Sequence, residues 1–234
     1  MKITENNNIL IATIKSWNIE KAEKLITDYP QFNIQLISDK DELTYEKVSK
    51  FKPKYIFFPH WSWTIPKNIY ENFECIVFHM TDLPFGRGGS PLQNLIVRGL
   101  KETKISAIRV VKDIDAGPIY LKSDLGLEGT ATEIFVRGAE VIFGEMIPIL
   151  LNEPLGAKPQ QGEAVLFNRR TPDQSDISGL GNISEVYDYI RMLDGEGYPK
   201  AFVETEGLKI EFSEACKADG YVLARAKIRI KNGK

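Results

Sequence analysis

The sequence predicts an α/β fold: a Rossmann-like, mostly parallel sheet with helices on both faces, followed by a small α+β C-terminal unit. Short apolar runs rich in β-branched residues alternate with amphipathic patterns through the first half, which is the signature of strands buried on both faces. Successive runs are separated by single helix patterns, the order of βαβ units. After a stretch rich in Pro, Gly, Asn, Asp and Ser at 152–182, the pattern changes to one helix and several strand-like runs. The expected organisation is a main α/β domain over 1–151, a connector over 152–182 and a small unit over 183–234. A chain of 234 residues suits that arrangement better than two full domains.

Ile9 to Ile14 reads as the first strand, and residues 18–28 set charges around Ala22, Leu25 and Ile26, an amphipathic helix. Phe32–Ile37 is a second strand, Asp41–Lys50 a second helix, Tyr55–Phe58 a third strand and Cys75–His79 a fourth. The turn-rich segment Leu83–Pro91 follows and leads into a helix through about Gly99. Strands are expected at Ile105–Val111 and Pro118–Leu121. Thr130 and Glu133 have capping-box spacing and open a helix through Met146 that should stop near Pro154. In the C-terminal unit, a helix over Ile183–Leu193 presents Val186, Ile190 and Leu193 on one face. Strand patterns lie at Ala201–Glu204, Leu208–Phe212 and Val222–Ile230.

Composition narrows the function classes. With 30 Lys+Arg against 32 Asp+Glu, the net charge of −2 argues against a surface that coats nucleic acid. The alternating stripe Arg225, Lys227, Arg229, Lys231 is either the solvated face of an outer strand or a local basic contact. The only histidines are His60 and His79, so a multi-histidine metal site is excluded and no metal is expected. Cys75 and Cys216 form neither a zinc spacing nor a redox pair, and Cys75 in ECIVFHM reads as a small buried residue. The N-terminal segment lacks the apolar core of a signal peptide and no run is long enough to span a bilayer. The expectation is therefore a cytoplasmic protein with no membrane partner.

In open parallel sheets, ligands bind beyond the carboxyl ends of the strands, and His60 and His79 both fall there. His79 is either a satisfied rim residue or a catalytic group. It leads into a loop with Gly86, Gly88 and Gly89, where backbone approaches a ligand closely. Thirty-six residues on, Asp115 within Asp113–Pro118 is placed where a turn returns an acid to the imidazole. A carboxylate–imidazole pair is what general acid–base catalysis needs. The loop lacks the Lys-Ser/Thr ending of a P-loop and is not a G-x-G-x-x-G fingerprint, and the chain has no G-x-S-x-G elbow.

The segment His79-Met-Thr-Asp-Leu-Pro-Phe-Gly-Arg-Gly-Gly-Ser-Pro-Leu92 resembles the folate-dependent formyltransferase signature N-x-H-x-S-x-L-P-x-x-R-G-x-x-P-[IL]. Asp113–Ile119 resembles the family's second motif, with its D-x-G-P-[IV] core, and Phe167–Pro172 with Ser175–Ile177 is similar to its linker. The resemblance implies that His79 and Asp115 are the catalytic pair. It also implies that 10-formyltetrahydrofolate is the formyl donor, held by Pro84, Phe85, Gly86, Arg87 and Gly88 and by the backbone around Asp113. One position departs from the pattern. The family's catalytic asparagine stands two residues before the histidine, where this chain has Val77, and Thr81, Gln93 and Asn94 are the nearest polar candidates to replace it.

Family members act on methionyl-tRNA, on glycinamide ribonucleotide or on nucleotide-linked amino sugars. The short C-terminal unit and slightly acidic charge point away from the tRNA enzymes. The wording around His79 is similar to a branch acting on UDP-linked 4-amino-4,6-dideoxy sugars on the way to pseudaminic acid. The resemblance thus implies a nucleotide-linked amino sugar as acceptor. For its site, Lys15 is a candidate for a phosphate, and Trp17 for a base or sugar ring. Asn18, His60, Trp61, Gln93 and Asn94 complete the expected substrate set. The alternatives are a methionyl-tRNA formyltransferase-like enzyme, a hydrolase releasing formate, and a non-catalytic folate or nucleotide binder that lost the asparagine. The C-terminal strands suit either a private core or the pairing of two subunits into a homodimer.

Overall fold

The computed structural model describes residues 6–153 and 155–231. Strand β1 (Asn8–Ala12) has Ile9 to Ala12 buried, as a continuous apolar run requires. Helix α1 (Ser16–Asp28) buries Asn18, Ala22 and Leu25, spaced along one helical face. Strand β2 (Asn33–Ile37) follows. The helix expected over 41–50 forms in two pieces, a 3-10 turn at Lys40–Glu42 and α2 (Tyr45–Phe51). Thr44 is the cause: its extended backbone and its side chain, which accepts from the Lys47 N–H, start a new helix there. Then come β3 (Tyr55–Phe58), a short α3 (Lys67–Tyr70) and β4 (Cys75–His79).

The glycine-rich segment contains a strand, β5 (Phe85–Gly88), and is followed by α4 (Pro91–Val97). Next are β6 (Glu102–Arg109) and β7 (Ile119–Gly126). Helix α5 (Ala131–Val141) passes through a π-helical turn at Ile142–Met146 into α6 (Ile147–Asn152). Pro148 has no N–H for the Gly144 carbonyl, and the ladder widens by one residue just before it. The expected stop at Pro154 lies outside the described residues. The stretch read as a connector carries β8 (Val165–Phe167) and a capped 3-10 turn at Pro172–Ser175. Helix α7 (Ile183–Met192), β9 (Ala201–Glu204), β10 (Leu208–Ala218) and β11 (Tyr221–Ile230) complete the chain.

The main sheet has the order β2-β1-β3-β4-β6-β7. The β1–β2, β1–β3 and β3–β4 pairs are parallel, and β4–β6 is antiparallel. The predicted α/β class with a mostly parallel sheet therefore holds. One unit comprises the residues up to Arg87 with Lys104–Leu125 and Val136–Val165. The other comprises Gly88–Thr103, Gly126–Phe135 and Leu166–Lys234, and holds the antiparallel sheet β11-β10-β9. In this second unit the buried Arg191 donates to the Leu127 and Gly129 carbonyls and pairs with Asp188, which satisfies its charge. No helix among the described residues is long and apolar enough to cross a membrane.

Candidate active site

His79 ends β4 with its ring almost buried, 9% exposed, opposite Ser106 of β6. Its Nε2 lies 2.8 Å from the Gly86 carbonyl oxygen, and its Nδ1 lies 3.5 Å from Asp115 Oδ2. An acceptor thus stands on each side of the imidazole. A ring protonated at Nε2 alone donates to Gly86, and a doubly protonated ring has a partner for both N–H groups. The loop below is braced by Ser106, whose hydroxyl donates to the Thr81 carbonyl at 2.7 Å and accepts from the Leu83 N–H at 3.4 Å. Lys122 Nζ donates to the Leu83 carbonyl at 2.6 Å and pairs with Asp82.

Asp115 reaches the ring from a tight turn in which its own backbone is left-handed, φ 52. That conformation costs on the order of 1–3 kcal/mol in a non-glycine residue, and Asp is among the residues that tolerate it. Gly117 closes the turn; a Cβ there would fall 1.7 Å from the Arg109 carbonyl oxygen, so only glycine fits. Gln160, from the stretch read as a connector, holds the turn from outside. Its Nε2 donates to the Asp115 and Gly117 carbonyls, both at 2.8 Å, and its Oε1 accepts from Arg87 Nε at 3.0 Å and Nη2 at 2.7 Å. Gln160, Ser106 and Lys122 were not legible as site residues, because an amide, a hydroxyl or a lysine outside a motif carries no spacing signal.

Beside Asp115 lies a cavity of about 370 Å³, walled by Trp61, Trp63, Ile65, Val77 and Ile108 and by Asp113 and Asp115. The volume lies within the ~300–1,000 Å³ of small-molecule sites, and apolar and aromatic walls, with Arg109 and Lys112 beside the two acids in the lining, suit a flat heteroaromatic ring that carries polar groups. Trp61 and Trp63 meet edge to face, with centroids 5.0 Å apart. Val77 occupies the wall where the family pattern has an asparagine. Of the expected donor-binding residues, Asp113 lines this cavity, Gly86 faces His79, and Arg87 is bound to Gln160. Pro84 and Phe85 lead into and begin β5, the Pro84 carbonyl accepting from the Val165 N–H at 3.2 Å. At Gly88 a Cβ would lie 2.4 Å from the Phe167 carbonyl oxygen, which makes that glycine a packing requirement.

Lys15, Trp17 and His60 gather past the ends of β1 and β3. Lys15 Nζ is 5.8 Å from the Trp17 ring centre, and Trp17 meets His60 edge to face at 6.3 Å. His60 also has a left-handed backbone, φ 55. Burial, and then the charge of Lys15, push its pKa down to about 4, so the ring is neutral at neutral pH. Asn18 is buried and donates to the Pro59 carbonyl at 3.4 Å, which also accepts from the Thr13 hydroxyl at 2.5 Å. Of the polar groups proposed to replace the asparagine, Thr81 is buried, with its hydroxyl 3.4 Å from the Gly86 carbonyl. Gln93 and Asn94 belong to the second unit. Gln93 Nε2 donates to the Met192 carbonyl, and Asn94 Nδ2 lies within 3.1 Å of the Gly89, Ser90 and Asn168 carbonyls. Three of the four basic residues on and just past β11 are paired with acids, Arg225 with Glu214, Arg229 with Glu211 and Lys231 with Glu204.

A family model described as the methionyl-tRNA formyltransferase C-terminal domain matches residues 172–229. A solved structure named methionyl-tRNA formyltransferase, from Clostridium thermocellum, is 56% identical with a TM-score of 0.94, covering 96% of this chain and 99% of that one. The methionyl-tRNA formyltransferase of Campylobacter lari is 28% identical over 200 residues, covering 82% of this chain and 65% of its own length. The chain thus spans slightly under two thirds of that curated relative. A sugar N-formyltransferase from Shewanella has a TM-score of 0.66 at 14% identity, a likeness of fold alone. These findings overturn the expected nucleotide-linked amino sugar: the relatives with substantial identity carry the tRNA enzyme's name, and the sugar enzyme shares only the fold. The departure at Val77 and the short C-terminal unit, which had pointed toward the sugar branch, do not identify the acceptor.

Proposed function

Because this chain belongs to the formyltransferase family, we propose that it transfers a formyl group from 10-formyltetrahydrofolate to the α-amine of methionyl-tRNA. The observation that carries the chemistry is the imidazole–carboxylate pair, His79 Nδ1 to Asp115 Oδ2 at 3.5 Å, beside the cavity. The acceptor follows from the 56% identity to the C. thermocellum protein of that name and from the C-terminal family match. The proposed partner is a nucleic acid, which the net charge was read as arguing against; overall charge says little about a single local contact.

The cavity suits the bicyclic ring of the folate, with Trp61, Ile65 and Val77 as apolar wall and Asp113 at the rim. When bound, 10-formyltetrahydrofolate supplies the formyl carbon. His79 takes the proton that leaves the attacking amine and gives it to the folate nitrogen as the bond from that nitrogen to the formyl carbon breaks. Asp115 stabilises the positive ring that results, and the Gly86 carbonyl fixes its orientation. Val77 offers no hydrogen bond to the formyl oxygen, and of the three polar candidates Thr81 shares a unit with His79.

The test is release of tetrahydrofolate from 10-formyltetrahydrofolate with methionyl-tRNA, with free methionine, and without acceptor. Release that needs methionyl-tRNA and disappears in His79→Asn supports the proposal. Equal release without acceptor points to a formate-releasing hydrolase, and folate binding with no release under any condition points to a binder. Either result sinks the transferase assignment.

A further inference from the structure

The groups around His79 form a closed circuit, and one side chain completes it. His79 Nε2 bonds the Gly86 carbonyl, and Gly86 is followed by Arg87. The Arg87 guanidinium donates twice to Gln160 Oε1, and Gln160 Nε2 donates to the Asp115 and Gly117 carbonyls. The Asp115 carboxylate then returns to His79 Nδ1. A carboxamide has two N–H donors and two principal acceptor lone pairs, and here each is used. The side chain is delivered by a backbone bridge two residues away, where Ile119 and Lys158 exchange both of their hydrogen bonds at 2.8 Å.

From this geometry we infer that Gln160 is a positioning residue that sets the distance between Asp115 and the His79 ring. The inference rests on the formyl-transfer reading for its effect on rate, but not for its geometry. The Asp115 turn needs such a clamp. Its left-handed backbone is strained, its hydrogen bond from Ala116 N–H to the Asp113 carbonyl is long at 3.3 Å, and Ile114 at its tip is 76% exposed. Arg87 and Gln160 tie that turn to the segment whose carbonyl orients the other side of the ring. Gln160 joins the Arg87 side chain directly to the Asp115–Gly117 turn, a second link beside the one through the His79 ring.

Gln160→Met keeps the length and volume of the side chain and removes all four hydrogen bonds. Gln160→Glu keeps the acceptor for Arg87 but sets a carboxylate oxygen against two carbonyls. Both variants are expected to lower kcat by about ten- to a hundredfold while KM for donor and acceptor stays within about threefold, the mark of lost alignment. An independent readout is the pair of His79 imidazole ¹⁵N signals at fixed pH. In Gln160→Met they should move toward those of Asp115→Asn, which a role confined to stability would not produce. Wild-type kcat together with unmoved ring signals in a folded variant would overturn the inference. Should Gln160→Met fail to fold, Gln160→Glu decides by the same two measurements. If the wild type formylates nothing, the proposed activity fails, yet the ring signals still decide the role of Gln160.

Discussion

Asp115→Asn is the sharpest perturbation of the proposed site. Asparagine matches aspartate in size and is also tolerated at a left-handed backbone, so the strained turn at φ 52 should survive. What is lost is a unit negative charge 3.5 Å from a ring that becomes positive during turnover. The His79 and Asp115 side chains are only 9% and 16% exposed, so water screens them weakly. At that separation and an effective dielectric of about 20, the pair is worth about 4.7 kcal/mol, roughly three and a half decades in rate. Part of that is retained by the amide's own dipole, so kcat should fall by about a thousandfold. KM for donor and acceptor should stay within about threefold, because neither needs the charge in the ground state. Single-turnover release of tetrahydrofolate, with thermal melts as a folding control, reads the effect. A folded variant whose kcat stays within about tenfold of wild type would refute the claim that Asp115 acts electrostatically on His79.

The other predictions concern the scaffold. The unfolded chain protonates His60 near pH 6.5, whereas the folded chain does so only at about 4. Between those values the unfolded state binds more protons, so this contribution is complete above about pH 6.5, is lost as pH falls toward 4, and levels off below it. Urea titrations at pH 7 and pH 4.5 should show the wild type losing about 2–3 kcal/mol more than His60→Asn. Gly88→Ala, at φ 107 and with its Cβ 2.4 Å from the Phe167 carbonyl oxygen, should destabilise the protein by about 2–5 kcal/mol in the same assay. Burial first and Glu74 second push the Cys75 thiol up to about 12, so iodoacetamide at pH 8 should label exposed Cys216 alone in the native protein and both cysteines in denaturant.

The main sheet was legible because strands buried on both faces are written as continuous apolar runs, as in Ile9–Ala12 and Tyr55–Phe58. The antiparallel direction of β6 was not, since side-chain pattern fixes faces and leaves direction to the connection. Strand β5, Phe-Gly-Arg-Gly, has no alternation to read, and its partner β8 lies far along the chain. Strand β10 runs past the expected Phe212 because an irregularity between Ser213 and Cys216 breaks the alternation that would have announced it. At the site, His79 and Asp115 stood out by motif, and the turn that brings them within 3.5 Å depends on Gly117, also in the motif. Gln160 lies in a Pro- and Gly-rich stretch where nothing distinguishes it from its neighbour Gln161. The acceptor was misread because motif wording around the chemistry describes the reacting centre, which enzymes with different acceptors share.

The measurement that bears most directly on the proposed activity is the mass of the acceptor after incubation with the protein and 10-formyltetrahydrofolate. Methionine recovered by hydrolysis of the charged tRNA should carry one added formyl group on its amine, with wild type and not with His79→Asn. Unmodified methionine from methionyl-tRNA, in the presence of protein shown to be folded and to bind folate, would contradict the account.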